Sequence, residues 1–529
     1  MGVAPVMKMS TTPGQRAADM LAALFGVDLR SLAAFRIGVA GIVLLDLWYR
    51  GIYANAFFTD NGVLPRTARV ELFELGDKFG FRHMWSLHMM SGAYWAQMLL
   101  LLVAALFAFW MLIGYRTRLA AIATWILLVS LDARNPAILN SGDVLFRCTL
   151  LFALFLPLGA KWSVDRSRSA DKPVVPDRVL SMAGVAMMLQ LCMMYLFSIA
   201  FKAKEVDGVP SPWFHGAAAV YYALNCDAYT TAVGNWVRQF PRIMQSMTIG
   251  TLLLEVIGPI AVFSPILTKP IRVLVFIAFA VFHIGLAVTL SLGLFPAICI
   301  VCWLPFLPGE FWDYMKGRAG NVSPLLERLG GSIRGLTSAA RRWFSKQETP
   351  SFRRRWYVEA AIGLTLVYVL LWNIRETDVK RLADRTLPLA FNGPARALGL
   401  DQNWSMFAPI PRTEDGWLVM RGTLHNEEVV NLWQFDKPLP WAKPDVVSKL
   451  YLTQRWRKYL DNITADSYAT HRMYLCNWLA WRWDEQQSDG QLQRQVHKVE
   501  LIQRLEITPP PGKPVPEPET RVLWTWYYE

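Results

Sequence analysis

The sequence predicts a polytopic α-helical membrane protein with about nine transmembrane helices and a C-terminal extramembrane mixed α/β domain, mainly antiparallel sheet. Three observations predict it. Of 529 residues, 53% are hydrophobic and 18% charged, and the mean hydropathy of +0.25 is more apolar than water-soluble chains usually show. Nine apolar runs approach the roughly 20 residues that cross about 30 Å of hydrocarbon. Beyond residue 375 such runs stop, and partial two-residue alternation takes over.

The first twenty residues hold Lys8 and Arg16 but no apolar stretch before a small-residue cleavage site, so no removable signal peptide is expected. Residues 1–29 read as an N-terminal cytoplasmic segment. The apolar runs lie near 30–49, 95–114, 118–133, 143–160, 179–202, 247–267, 271–290, 292–308 and 356–374. The eighth is short and contains Pro296 and Pro305. The eight runs within 30–310 form one transmembrane domain, residues 311–355 a basic cytoplasmic linker, and 356–374 the ninth helix.

Loop charges set the orientation, because short cytoplasmic loops carry the Lys and Arg excess. With the N-terminus inside, Arg116 and Arg118, then Lys161, Arg166, Arg168 and Lys172, then Lys269 and Arg272 all fall on the cytoplasmic side. The linker agrees, with ten Lys and Arg from Lys316 to Arg355 against Asp313, Glu327 and Glu348, a composition suited to anionic lipid. The ninth helix then exports residues 375–529, which share the outer side with loops 50–94 and 204–246. The expected location is a bacterial inner membrane with the C-terminal domain periplasmic. The formal charge of +13 is spread over these short connections rather than gathered on one module, so no nucleic-acid partner is expected; the bilayer is the partner that the charge implies.

In the tail, Trp417–Leu424, Val429–Phe435, Val496–Ile507 and Arg521–Tyr528 alternate as strands, Val446–Ile463 looks helical, and Pro509–Pro518 is a proline-rich extended link. The six cysteines make neither a disulfide framework nor a zinc spacing, and no metal is predicted. Cys299 and Cys302 lie in an apolar run and read as buried thiols. Cys226 and Cys476 both fall on the outer side, where a disulfide could tie the external loop to the tail.

Ionisable residues inside apolar runs are costly unless paired or facing a wet cavity, so they carry the functional candidates. Arg36, Asp46, Arg134, Asp143 and Arg147 read as structural ion pairs, with Asp143 and Arg147 at the i, i+4 helix spacing. His283 reads either as a helix-bridging hydrogen bond or as a site residue. Glu255 lies deeper and must be neutral, paired or exposed to a cavity. Lys202 ends the apolar helix that begins near residue 179: it is either an anchor snorkelling to the interface or a partly desolvated amine able to take a proton. Transport is a weaker reading, because no interrupted helices recur in matching halves.

At these positions the chain resembles a known family. Thr59-Asp-Asn-Gly-Val-Leu-Pro-Arg66, Arg134-Asn-Pro-Ala-Ile-Leu-Asn-Ser-Gly-Asp143, Phe155-Leu-Pro-Leu-Gly159, Ser163-Val-Asp165 and the stretch Tyr195 to Lys202 are similar to the HTTM domain. That domain is the membrane part of the vitamin K-dependent gamma-carboxylase and its bacterial relatives. The resemblance covers about residues 20–310 and reaches into the tail at Gln402-Asn-Trp-Ser-Met-Phe-Ala-Pro409 and Tyr474-Leu-Cys476. It implies a lyase that carboxylates glutamate on an exported peptide, using reduced vitamin K or menaquinone with O₂ and CO₂. The family's lysine deprotonates the hydroquinone, oxygen turns the quinone into a strong base that removes a γ-proton, and CO₂ adds to the carbanion. By the Tyr-x(6)-Lys spacing that lysine falls on Lys202, with Lys204 as rival, and Glu255, His283, Asp143, Arg147 and Arg36 are the cavity or binding candidates. The carboxylase's fourth-helix histidine has no counterpart in Asn140-Ser-Gly142-Asp143. The alternative is a non-catalytic membrane protein that binds or matures a lipid, quinone or peptide.

Overall fold

The computed structural model describes residues 13–75, 85–168, 177–320, 355–377, 387–486 and 492–528. Of the basic linker at 311–355, residues 321–354 lie outside the described residues. Within them the chain is mainly helical, and six helices are long and apolar enough to cross a membrane. They are α1 (Leu29–Ile52), α2 (Tyr94–Ile113), α5 (Met182–Lys202), α6 (Pro241–Ala261), α7 (Thr268–Thr289) and α9 (Trp356–Glu376). Each matches a predicted run.

The other three runs take different forms. Thr117–Arg134 is a helix, α3, but it holds Arg118, Asp132 and Arg134, and the last two are buried. Ser141–Ala153, α4, has only 13 residues, or about 20 Å of rise, too short for the hydrocarbon. Phe295–Trp303, α8, gives way to a 3₁₀ turn, and the chain then bends by 99° into Gly309–Gly320. Pro305 and Pro308 lie at this break, where their missing N–H groups stop a continuous helix.

Local chemistry fixes the helix ends. Asp28 caps α1 through Arg30 N at 2.8 Å, Ser181 caps α5 through Gly184 N, and Asn140 with Asp143 forms a capping box on α4. Gly114 ends α2 at φ 71°, a left-handed conformation that a side chain disfavours.

The tail builds α10 (Gln454–Thr464) and α11 (Arg472–Gln486) with four antiparallel strands: β1 (Glu414–Leu424), β2 (Val429–Asn431), β3 (Val496–Ile507) and β4 (Glu519–Tyr527). Their order is β2-β1-β3-β4, with Trp417 opposite Arg504 and Val419 opposite Ile502. The predicted strand Val429–Phe435 shrinks to three residues, and the predicted helix Val446–Ile463 becomes a 3₁₀ turn followed by α10.

The tail does not stand apart from the helices. One continuous apolar core runs from Phe35, Phe146, Tyr195 and Trp303 to Trp404, Trp456, Leu475 and Val499. A buried ion network pins this junction. Arg50 on α1 bonds Asp46 at 2.7 Å, Asp132 at 2.9 Å and Asp143 at 3.0 Å. From α10, Arg455 reaches the same Asp46 and lies 2.8 Å from Asp143. Arg147 pairs with Asp401 at 2.9 Å and more loosely with Asp132. The predicted Asp143–Arg147 pair therefore does not form: each finds a better-placed partner on another element.

The expected Cys226–Cys476 disulfide is also absent. All six cysteines are free and buried. Cys226 caps the short helix Ala219–Asn225 beside Asp415, whereas Cys476 lies on α11 within the apolar core, so the two thiols serve different packing sites.

Candidate functional site

Helix α5 places Tyr195, Ser198 and Lys202 on one face, at spacings of three and four residues that stack side chains along a helix. All three are buried and line a cavity of about 920 Å³, within the ~300–1,000 Å³ usual for small-molecule sites. Helix α6 contributes Glu255, and α7 contributes His283. Apolar walls come from Met247, Leu254, Val281, Phe282 and Leu286. The tail segment 401–412 closes the sheet end, held by Trp213 Nε1 donating to Phe407 O at 2.8 Å and Trp372 Nε1 donating to Gln402 O at 2.9 Å.

Two hydrogen-bonded pairs face this space. The Lys202 ammonium donates to the Glu255 carboxylate and lies 4.4 Å from the centre of the Trp213 ring. Both charged groups are about 95% or more buried, so each is the other's counter-ion, and the indole face adds cation–π stabilisation. Deeper in, Tyr195 Oη lies 2.7 Å from His283 Nε2, and Trp303 Nε1 donates to the same oxygen at 3.2 Å. Phe279 packs against Tyr195, His283 and Trp303.

The Tyr195–His283–Trp303 set leaves the second His283 nitrogen unmatched. If Tyr195 gives its proton to Nε2, His283 must carry its own on Nδ1, which has no hydrogen-bond partner among the described residues. If His283 Nε2–H donates instead, the Tyr195 hydroxyl turns to the adjacent Cys299 sulfur, and Nδ1 is left as an unbonded acceptor. Ser198 Oγ is likewise buried and unbonded. Buried polar groups are normally satisfied, and these two residues both belong to the cavity wall.

The other predicted site residues lie elsewhere. Lys204 is outside the lining and sits over Phe201 at 4.9 Å. Asp143 and Arg147 belong to the ion network, Asp143 also facing a separate 330 Å³ cavity. Arg36 is buried and bonds the carbonyls of Leu158 and Trp162 at the opposite end of the bundle from the sheet. Conversely, sequence reasoning left Tyr195 as a motif landmark and missed Arg412, Arg457 and Lys458, which line the cavity from the tail.

Those three cations share one carboxylate. Arg412 Nη1 lies 3.4 Å and Arg457 Nη1 3.9 Å from Asp461, and Tyr229 Oη donates to Asp461 Oδ2 at 3.1 Å. Burial, with the like charges of Arg412 and Arg457, pushes the Lys458 amine below its usual range. Nearby on the same side, Asp415 is pushed up to about 7 by burial and then by Asp227 and Glu506; Lys443 bridges the last two. Among the described residues no cluster of His, Cys, Asp and Glu has the makings of a metal site.

Compared with known proteins, the chain matches no family model, no curated protein and no solved structure.

Proposed function

We propose that this is an integral membrane protein whose cavity binds a lipid-soluble ring ligand bearing oxygens at both ends, with Lys202 as the base that deprotonates it. The observation that carries this reading is that two proton-bearing pairs, Lys202–Glu255 and Tyr195–His283, face one apolar cavity. Residues seven apart on a helix differ by about 10.5 Å of rise, so the pairs address opposite ends of a ring rather than one atom. With its proton on Nδ1, His283 has a donor to spare, which fits a carbonyl or phenolate oxygen. These residues suit a hydroquinone of the vitamin K or menaquinone class.

Lys202 becomes a base only by shifting its proton to Glu255, which leaves a neutral amine beside a carboxylic acid. The amine then takes the ligand's hydroxyl proton, and an ammonium remains next to the new oxyanion. Trp213 favours that charged product through its ring face. His283 or Tyr195 donates to the far oxygen and holds the ring in register. The apolar walls and the 401–412 segment keep bulk water from quenching the oxyanion. A bound hydroquinone would supply the acidic hydroxyl and, through its oxidation by O₂, the driving force that removal of a glutamate γ-proton needs.

The fuller activity, adding CO₂ to glutamate of an exported peptide at the outer face, rests on the motif resemblance. So does the placement in a bacterial inner membrane, which the loop charges support. Mass spectrometry of outer-side proteins co-expressed with the chain and supplied with vitamin K hydroquinone should show one CO₂ gained on glutamate, lost in Lys202→Ala. The same modification in that variant would end the proposal. One observation favours a second, non-catalytic reading: Lys202 is fully neutralised by Glu255, as in a structural pair. In that case Lys202→Ala changes stability and ligand binding, and no covalent product depends on the protein.

A further inference from the structure

The cavity's sheet end has a charge imbalance that the chemistry at Lys202 does not use. Other charges on the lining have partners: Lys202 pairs with Glu255, Arg396 with Asp401 at 3.1 Å and Glu376 with Arg375 at 3.7 Å. Around Tyr229, by contrast, Arg412, Arg457 and Lys458 face the single carboxylate of Asp461. Arg457 is only 3% exposed, and its Nε and Nη1 make no hydrogen bond among the described residues. Its guanidinium is held over the Tyr229 ring at 3.6 Å, which fixes its position without using its donors. A buried guanidinium with idle N–H groups is expensive unless something supplies oxygens.

We propose that Arg412, Arg457 and Lys458 form a subsite for a phosphate group, and that the apolar cavity continuing from it takes the chain of a phosphate-headed lipid. Three cationic side chains against one carboxylate leave an excess of up to two positive charges. A phosphate monoester brings close to two negative charges and three strong acceptor oxygens, whereas a carboxylate brings one charge and is satisfied by one arginine. Arg412 is half-exposed, with 48% of its side chain open, so the headgroup has water access. Below it, Met247, Leu254, Phe282 and Leu286 line the cavity along α6 and α7. The outer faces of those two helices are exposed and apolar, at Leu253, Ile257, Ile277 and Ile284. The glycines Gly250 and Gly285 also line it, and a Cβ added at either meets nothing within 4 Å, so this part of the wall is open. The site stands independently of whether Lys202 acts as a base.

The test uses the full chain in detergent and measures binding of phosphatidic acid, diacylglycerol and inorganic phosphate, alone and in variants. Phosphatidic acid should bind at least 10-fold more tightly than diacylglycerol. Arg457→Gln should lose roughly 10- to 100-fold in affinity, the scale of charge-assisted hydrogen bonds. Arg412→Gln, at a half-exposed position, keeps the fold and should lose several-fold. Gly285→Leu should fill the apolar part and weaken phosphatidic acid while leaving inorganic phosphate unaffected. If inorganic phosphate binds as tightly as phosphatidic acid and Gly285→Leu changes neither, the subsite stands with free phosphate as its ligand. Equal binding of phosphatidic acid and diacylglycerol, unchanged affinity in both arginine variants, or a response to glutamate-rich peptide with none to either phosphate would overturn the proposal.

Discussion

Replacing Lys202 with methionine keeps much of its length and removes its charge, leaving the Glu255 carboxylate buried with no counter-ion. Opposite charges about 3 Å apart attract by about 5 kcal/mol at an effective dielectric of about 20. Removing one member of a buried pair costs about 3–5 kcal/mol in measured cases, because the partner's desolvation is left uncompensated. Lys202→Met should fall in that range. The double variant Lys202→Met/Glu255→Gln carries no buried charge and should recover all but about 1–2 kcal/mol. Tryptophan fluorescence during denaturant unfolding in detergent, completed as a double-mutant cycle, measures the coupling. Additive losses, with coupling under about 1 kcal/mol, would refute the idea that the two side chains are each other's counter-ion. Ligand binding gives a second readout. If the pair handles the ligand's proton, hydroquinone binding stays weak in the double variant although stability returns; if the pair is only structural, both recover together.

Four further outcomes follow from the same geometry. Arg455→Ala leaves Asp46 and Asp143 sharing Arg50, so it should cost about 3–5 kcal/mol and make the tail more sensitive to limited proteolysis; unchanged digestion would count against the network as the tail's tie. Tyr195→Phe strands the Trp303 N–H, a loss of about 1–3 kcal/mol, and should weaken hydroquinone binding beyond any change in melting temperature. Asp415, raised to about 7 beside Asp227, Glu506 and Lys443, stays protonated in the folded chain where the unfolded chain ionises, so stability should fall as pH rises from about 4 to 7, at up to about 1.4 kcal/mol per pH unit; Asp415→Asn should flatten that slope, and an unchanged slope would assign it elsewhere. With Cys226 and Cys476 unbridged, all six cysteines should alkylate on denaturation without reductant, and labelling of four alone would show a disulfide.

Apolar run length was enough to find α1, α2, α5, α6, α7 and α9, because crossing hydrocarbon demands nearly uninterrupted hydrophobicity. It misjudged α4, where an apolar stretch is buried inside protein: Leu145, Cys148, Leu150 and Phe152 are within 1% of full burial, and a core helix carries the same composition as a span. Alternation found β3 at both ends, Val496–Ile507. It missed α11, whose Trp478, Trp481, Arg482 and Trp483 give no clean apolar stripe because indole and guanidinium groups pack at all angles. For the site, cost reasoning selected Lys202, Glu255 and His283, which the fold brings to one cavity. It could not assign partners. Asp143 meets Arg455 rather than Arg147, and spacing along a helix says nothing about a side chain arriving from three hundred residues away. Arg457 was invisible for the opposite reason: on the polar tail an arginine costs nothing until tertiary packing buries it.

That distance in sequence has a consequence for how the chain is made. The acidic ends of α1, α3 and α4 are synthesised early, but Arg455 follows Asp143 by 312 residues. At about 5–20 residues per second this is roughly 15–60 s of translation. Through that interval Asp46, Asp132 and Asp143 have, of the network's cations, Arg50 and Arg147 alone, so the network stays incomplete until α10 is made. The bundle closes when α10 has emerged and delivered its guanidinium. Ribosome-stalled chains cut just short of residue 455 should therefore leave Asp143→Cys open to water-soluble thiol reagents, and chains released beyond it should not.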